Sequence, residues 1–191
     1  ITVAAPTTGV TATATASIST AGVKINNSND YLVNFSNGAG VFGEWAARYP
    51  GAMGNSLLVS LADSASYASW TYKSYFDGAP GTSSYASNLN GANDEIHIVV
   101  VDTNGLFSGT KGTVLETFPF VSKASDALNL NDGSSNYYKQ VVFNKSQYVY
   151  AMDPPSYSTT ATGPGAWGHL SANTSFTQLS AVQTLPLVNG S

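Results

Sequence analysis

The sequence predicts a β-dominated α+β fold: a mixed sheet with a few short helices and a small extra β segment at the N-terminus. Three observations point there. Apolar residues fall in short runs rich in Val, Ile and Leu, best seen at 57–61 and 95–102, too brief for helices of ordinary length. Clusters of Asn, Asp, Ser and Gly punctuate those runs at 26–30, 36–40, 77–81, 102–105 and 131–133. Residues 8–20 alternate small apolar and hydroxyl side chains, the period of a strand.

Taken in order, the Thr-Ala alternation at 8–20 reads as a peripheral strand, because Ala buries little. Asn26 to Asp30 is a turn, and residues 31–35 read as a short strand broken at 36–40. Residues 42–49 suit two helical turns that Pro50-Gly51 stop. Gly54-Asn55 turns the chain into a buried strand at 57–61. Residues 62–76 carry Tyr67, Trp70, Tyr72, Tyr75 and Phe76 with neither period dominant, which suits a loop or short helix laid over the core. A turn-rich stretch follows to Asn93.

Residues 95–102 form the strongest strand. Ile96, Ile98 and Val100 line one face, and Val99 and Val101 the other, as expected of a central strand. Asp102-Thr103-Asn104-Gly105 is a hairpin-type turn with its returning partner at 113–118. Ser134 or Ser135 caps a helix over 136–144, with Tyr138, Val141 and Val142 on its inner face. Residues 148–150 make a strand, 154–165 an irregular loop, and 174–188 a last strand interrupted by Pro186. Apart from the Thr-Ala alternation there is no internal repeat.

Composition narrows the function classes. Charged residues are 9% of a 191-residue chain, against about 25% in an average soluble domain. The net charge is −4, and Arg48 is the single arginine among seven basic residues, so nucleic acid is not an expected partner. No apolar run approaches the roughly 20 residues that cross a bilayer, so no membrane partner is expected either. Aromatic residues at 12% argue for a packed core rather than disorder. The absence of cysteine removes disulfides and thiolate chemistry. Ile1-Thr2-Val3 begins no secretory leader, and a processed protein or a fragment is the expectation.

No constellation of catalytic residues stands out, and no catalytic, cofactor-binding or metal-binding residue is assigned. Asp94 and Glu95 point to opposite faces of a strand and cannot act as a pair, so they read as a solvated strand start. His97 lies inside an apolar strand and reads as a satisfied core histidine. His169 follows Trp167-Gly168 in a loop with no second ligand near it in sequence. Asp102-x-Asn104-Gly105 lacks the third oxygen ligand and the glycine of a calcium loop, so it reads as a turn. There is neither a Gly-x-Ser-x-Gly elbow nor a phosphate loop. Asn-x-Ser/Thr sequons at Asn26, Asn34, Asn144, Asn173 and Asn189 matter only for a protein secreted from a eukaryote. The aromatics suit core packing, subunit contacts or a sugar-stacking platform.

Three collinear stretches resemble a known family. Residues 41–61, Val-Phe-Gly-Glu-Trp-Ala-Ala-Arg-Tyr-Pro-Gly-Ala-Met-Gly-Asn-Ser-Leu-Leu-Val-Ser-Leu, are similar to the "AKYPGxxGNxLxV" signature of contractile bacteriophage tail sheath proteins. Residues 95–118 resemble the strand, Asp-x-Asn-Gly turn and "VLExF" strand that follow it there. Residues 120–150, from Phe-Val-Ser-Lys-Ala-Ser-Asp-Ala through Asn-Tyr-Tyr-Lys to Tyr-Val-Tyr, resemble the next helix-and-strand segment. The likeness is greatest to T-even-like myophage sheaths, and it implies a central fragment of the protease-resistant type.

On that resemblance, residues 1–30 are the end of a Thr/Ala-rich β insert domain and 31–191 a middle sheath domain. The implied role is structural, without enzymatic activity or cofactors. The implied partners are other copies of the subunit, with tube and baseplate reached through regions outside this segment, and the implied location is the virion. Pro50, Gly51 and Gly54, Ile96, Ile98 and Val100, and Tyr138, Val141 and Val142 would then matter as architecture. Composition alone leaves open a receptor- or glycan-binding β domain.

Overall fold

A computed structural model describes residues 2–3, 23–37, 43–154 and 165–189. The fold is α+β and dominated by strands, as the sequence predicts. A five-stranded antiparallel sheet has the order β1-β7-β3-β4-β5, formed by β1 (Thr2–Val3), β3 (Leu57–Ala62), β4 (Glu95–Asp102), β5 (Thr113–Ser122) and β7 (Gln183–Val188). A second antiparallel pair joins β2 (Trp45–Ala47) to β6 (Val149–Ala151), with Ala46 opposite Tyr150. Four short helices complete the described residues: α1 (Ser28–Asn34), α2 (Gly51–Asn55), α3 (Ser84–Asn88) and α4 (Tyr138–Lys145).

The alternation read in 95–102 sorts as expected. Ile96, Ile98 and Val100 enter the main core, with Leu57, Val59, Leu61, Leu185 and Leu187 from neighbouring strands. The β2–β6 pair and α4 close that core through Trp45, Val149, Tyr138, Val141 and Val142. Val99 and Val101 point the other way, where Trp70, Tyr67, Tyr72 and Phe76 cover them. β4 is therefore apolar on both faces because both faces are covered. The cover over residues 62–76 is a loop with two single 3-10 turns, Tyr67–Ser69 and Lys73–Tyr75.

Several expectations give way. Residues 31–35 are not a strand: 31–34 belong to α1 and Phe35 caps its end. Asn27 Oδ1 accepts the Asp30 N–H at 2.9 Å, a side-chain cap that starts the helix. Tyr31 and Phe35, four residues apart, then face one side, packing with Ala46, Tyr150 and Met152. Residues 42–49 are not helical where described. Trp45, Ala46 and Ala47 are all buried and pair with β6 about a hundred residues downstream. The helix lies one step later, and Pro50 precedes α2 rather than ending a helix.

Other boundaries shift. Neither Ser134 nor Ser135 caps α4. It begins at Tyr138 after an extended Tyr137 that makes no side-chain cap bond, and the Ser135 hydroxyl instead accepts the Tyr137 N–H at 3.3 Å. The last strand starts at Gln183, not at 174, and Pro186 sits inside it. The turn-rich stretch before Asn93 contains α3, capped by the Ser83 hydroxyl on the Ala86 N–H. The Thr-Ala alternation at 8–20 and the loop residues 155–164 lie outside the described residues.

Candidate functional site

The core positions occupy the faces expected of them, but Gly51 and Gly54 lie within α2, with Pro50 just before it, and not in turns. Gly51 has φ +63°, a backbone state that disfavours any Cβ, although a Cβ there would meet open space. Gly54 has the opposite constraint: its φ is ordinary, but a Cβ would lie 2.4 Å from the Tyr49 carbonyl oxygen. Pro50, between them and β2, is extended at φ −78°. Ile96, Ile98, Val100, Tyr138, Val141 and Val142 are all buried in one core.

The ionisable groups show what the chain uses its few charges for. Asp94 is fully buried, which corrects the reading of a solvated strand start. Its carboxylate accepts the Ser83 N–H at 2.7 Å and the Ser122 hydroxyl at 2.6 Å, tying α3 and β5 to the head of β4. Glu95 faces away and accepts the Gly81 N–H at 2.9 Å. Burial pushes the Glu95 carboxyl up. Both carboxylates hold the 81–83 segment, and Asp94 alone ties it on to Ser122 of β5.

Asp102 makes the turn after β4. Its oxygens accept the Ser56 hydroxyl, the N–H groups of Gly105, Leu106, Phe107 and Ser108, and the Ser108 hydroxyl, at 2.5–3.0 Å. Burial alone would raise this carboxyl; the hydroxyl and N–H donors outweigh it and hold it far below the usual carboxylate range. All of its ligands are donors from the chain, so the motif is a turn, as its sequence suggests.

Lys123 and Asp63 form a buried ion pair that the sequence does not announce. Nζ lies 2.9 Å from the carboxylate, with 0% and 1% of the side chains exposed. Nζ also donates to the Thr177 carbonyl at 3.1 Å and sits 5.1 Å from the Trp167 ring centre. The carboxylate accepts the Leu179 N–H at 2.7 Å. Burial lowers the ammonium and Asp63 draws it back. The pair staples the end of β3 to the segment after β5 and to the chain entering β7.

Lys139 is a second buried amine. It donates to the carbonyls of Met152 and Ser36, and burial pulls it down to about 8 against the opposing pull of Asp153. Arg48 donates to the Phe143 and Val149 carbonyls and stacks 4.0 Å from the Tyr150 ring centre. All three cations lie within the sheath-like stretches quoted above, but nothing in those stretches gives their partners.

His97 is fully buried and hydrogen-bonded at both ring nitrogens, as expected of a core histidine. His169 lies in a loop, and its carbonyl accepts the Ser125 N–H at 3.1 Å. All five sequon asparagines are exposed. Among the described residues no three His, Cys, Asp or Glu side chains gather as a metal ligand set, and no helix is long and apolar enough to cross a membrane.

Among the described residues, a shallow groove of about 370 Å³ lies between edge strand β5 and α4, lined by Glu116, Phe118, Pro119, Asn136, Val141 and Lys145 among others. Glu116 is occupied there by the Ser146 hydroxyl and the Gln147 N–H, both at 2.7 Å. Exposed apolar side chains are scattered, with Val33, Leu170, Leu130 and Tyr75 the most open.

No family model matches the chain. Over 70 residues it is 34% identical to the tail sheath protein of Salmonella phage ViI. That stretch is 37% of this chain and 9% of the relative, so the chain spans a small part of that protein's length. The match supports a tail-sheath-like relationship over that stretch and, at that level, a structural virion role.

Proposed function

We propose that the chain is part of a contractile bacteriophage tail sheath subunit, of the T-even-like type. In the full protein it would polymerise with identical subunits around the tail tube. Contraction would shorten that sleeve and drive the tube through the host envelope. Residues 1–30 would end a Thr/Ala-rich insert domain and 31–191 form a middle domain carried on the sleeve. Its partners would be other subunits, and its place the virion tail and, during assembly, the host cytoplasm.

The observation that carries this reading is the ordered series of sheath-like stretches across 41–150, joined by the 34% identity to a tail sheath protein. The physical character of the chain suits it. Heterologous contacts that do not close generate helical assemblies, and contraction is a rigid-body rearrangement between two packings of the same subunits. A unit that moves as a body needs internal staples, and the buried Lys123–Asp63, Asp94 and Asp102 networks are staples of that kind.

The test is the parent gene product, expressed whole and viewed by electron microscopy. Sleeves or polysheath tubes are expected. A dispersed protein that binds a glycan saturably on an array would overturn the proposal in favour of a receptor-binding domain.

A further inference from the structure

His97 projects from the outer face of β4, beside Val99 and Val101, and is 0% exposed. Its Nε2 lies 2.8 Å from the Gly78 carbonyl, and its Nδ1 lies 3.0 Å from the Phe120 backbone nitrogen. A carbonyl can only accept and a backbone N–H can only donate. The ring is therefore neutral with its proton on Nε2. It bridges two segments distant in sequence: the one after the aromatic cover, and the bend in edge strand β5.

That bend is held rather than relaxed. Phe120 has φ +50°, unusual for an aromatic residue. Its N–H is given to His97 and its carbonyl accepts Asn136 Nδ2 at 2.8 Å. The β4–β5 register shifts between Ile96 and Ile98, at the level of this bend. On the other side the imidazole stacks on Phe76 at 4.1 Å and 7°, and on Trp70 at 6.4 Å.

We propose that His97 is an acid-sensitive latch joining the Phe76–Gly78 segment to the Phe120 bend of β5, opening when the imidazole takes a second proton. A proton on Nδ1 would turn it toward the Phe120 N–H at 3.0 Å. The bond becomes two opposed donors, and the strained bend loses one of its two ties.

No charge nearby would compensate an imidazolium. Tyr67 faces the ring edge-on at 5.8 Å, with its hydroxyl donating to the Lys73 carbonyl. The Lys73 ammonium is turned to the Ala68 carbonyl, and Asp77 is exposed. Glu95, two residues back on the same strand face, is engaged by the Gly81 N–H. From β3, Ala62 lies opposite His97. The Phe76 face would attract the cation, but burial penalises it more, and the imidazole is held below its ordinary range. The sign follows: stability is complete above about pH 6.5, the unfolded value, and falls as pH drops below it, because only the opened state accepts the proton.

The experiment uses the chain as it stands, with its two histidines separating the sources. The urea midpoint is expected to fall between pH 7 and pH 5 for the native chain and for His169→Gln, and that fall should be absent from His97→Gln. If His97→Gln does not fold, the native chain decides alone. Nitrogen NMR should show the Nε2–H tautomer at His97, titrating below the ordinary imidazole value of about 6.5. Exchange protection of the Phe120 amide should drop roughly tenfold from pH 6 to pH 5. A His97 ring titrating at or above about 6.5, a Phe120 amide whose protection ignores pH, or a His97→Gln variant with the native pH slope would each overturn the latch.

Discussion

Gly51 and Gly54 show how two glycines three positions apart serve different physical needs. Gly51→Val is expected to cost about 1–2 kcal/mol, the backbone price of a Cβ in the left-handed region. A Cβ there meets nothing, so no packing change adds to it. A shift in the urea midpoint measures the cost, and Gly51→Asn should recover most of it. Lys123 presents a larger sum at one residue. Lys123→Met leaves the Asp63 carboxylate buried at 1% exposure without its counter-charge, which should cost about 3–5 kcal/mol. The double variant Lys123→Met with Asp63→Leu should lose less than Lys123→Met alone, because the second change removes the orphaned charge. Chemical denaturation of the pair and both single variants checks this as a cycle.

At the scale of elements, the β4–β5 connection depends on one carboxylate. Asp102→Asn keeps the shape of the side chain but removes the charge that six donor contacts address, and it should cost on the order of 2–3 kcal/mol. The folded Asp102 carboxyl lies below its unfolded value of about 3.9. Its contribution is therefore complete above that value and is lost as pH falls through and below it. Acid titration of stability should show the native chain losing this contribution below pH 4 and Asp102→Asn lacking that part of the loss. The same element shows what sequence reveals. β4 was legible because both periods of its alternation and its flanking turns agree. β2 was not, because Glu44-Trp45-Ala46-Ala47-Arg48 has helical propensity and its strand state comes from pairing with β6, which local sequence does not encode. α1 was hidden by a short, mostly apolar run at 31–35 that reads as a strand and that Asn27 capping outweighs. The Lys123–Asp63 staple spans 60 positions, and no spacing rule brings such residues together. α3 was passed over as part of a turn-rich stretch, although the Ser83 hydroxyl caps it in the ordinary way.

At the scale of the molecule, the question is how a sheet with an open edge avoids pairing with copies of itself. β5 has one partner strand among the described residues, yet its free edge is blunted at several points. Pro119 offers no N–H, Phe120 turns its N–H inward to His97, and the ladder with β4 is irregular at two places. Glu116 adds a carboxylate already bound to Ser146 and Gln147. These are the devices by which edge strands resist edge-to-edge addition. The chain is therefore expected to stay monomeric in dilute solution, with any subunit contact made through surfaces other than this edge. The combined Glu116→Val and Pro119→Val variant restores a donor and removes a charge on the exposed strand. Light scattering at moderate salt should then show mass growing with concentration for the variant and a constant monomer mass for the native chain. Native association that this variant leaves unchanged would place self-contact elsewhere and remove edge protection as the reason the chain stays apart.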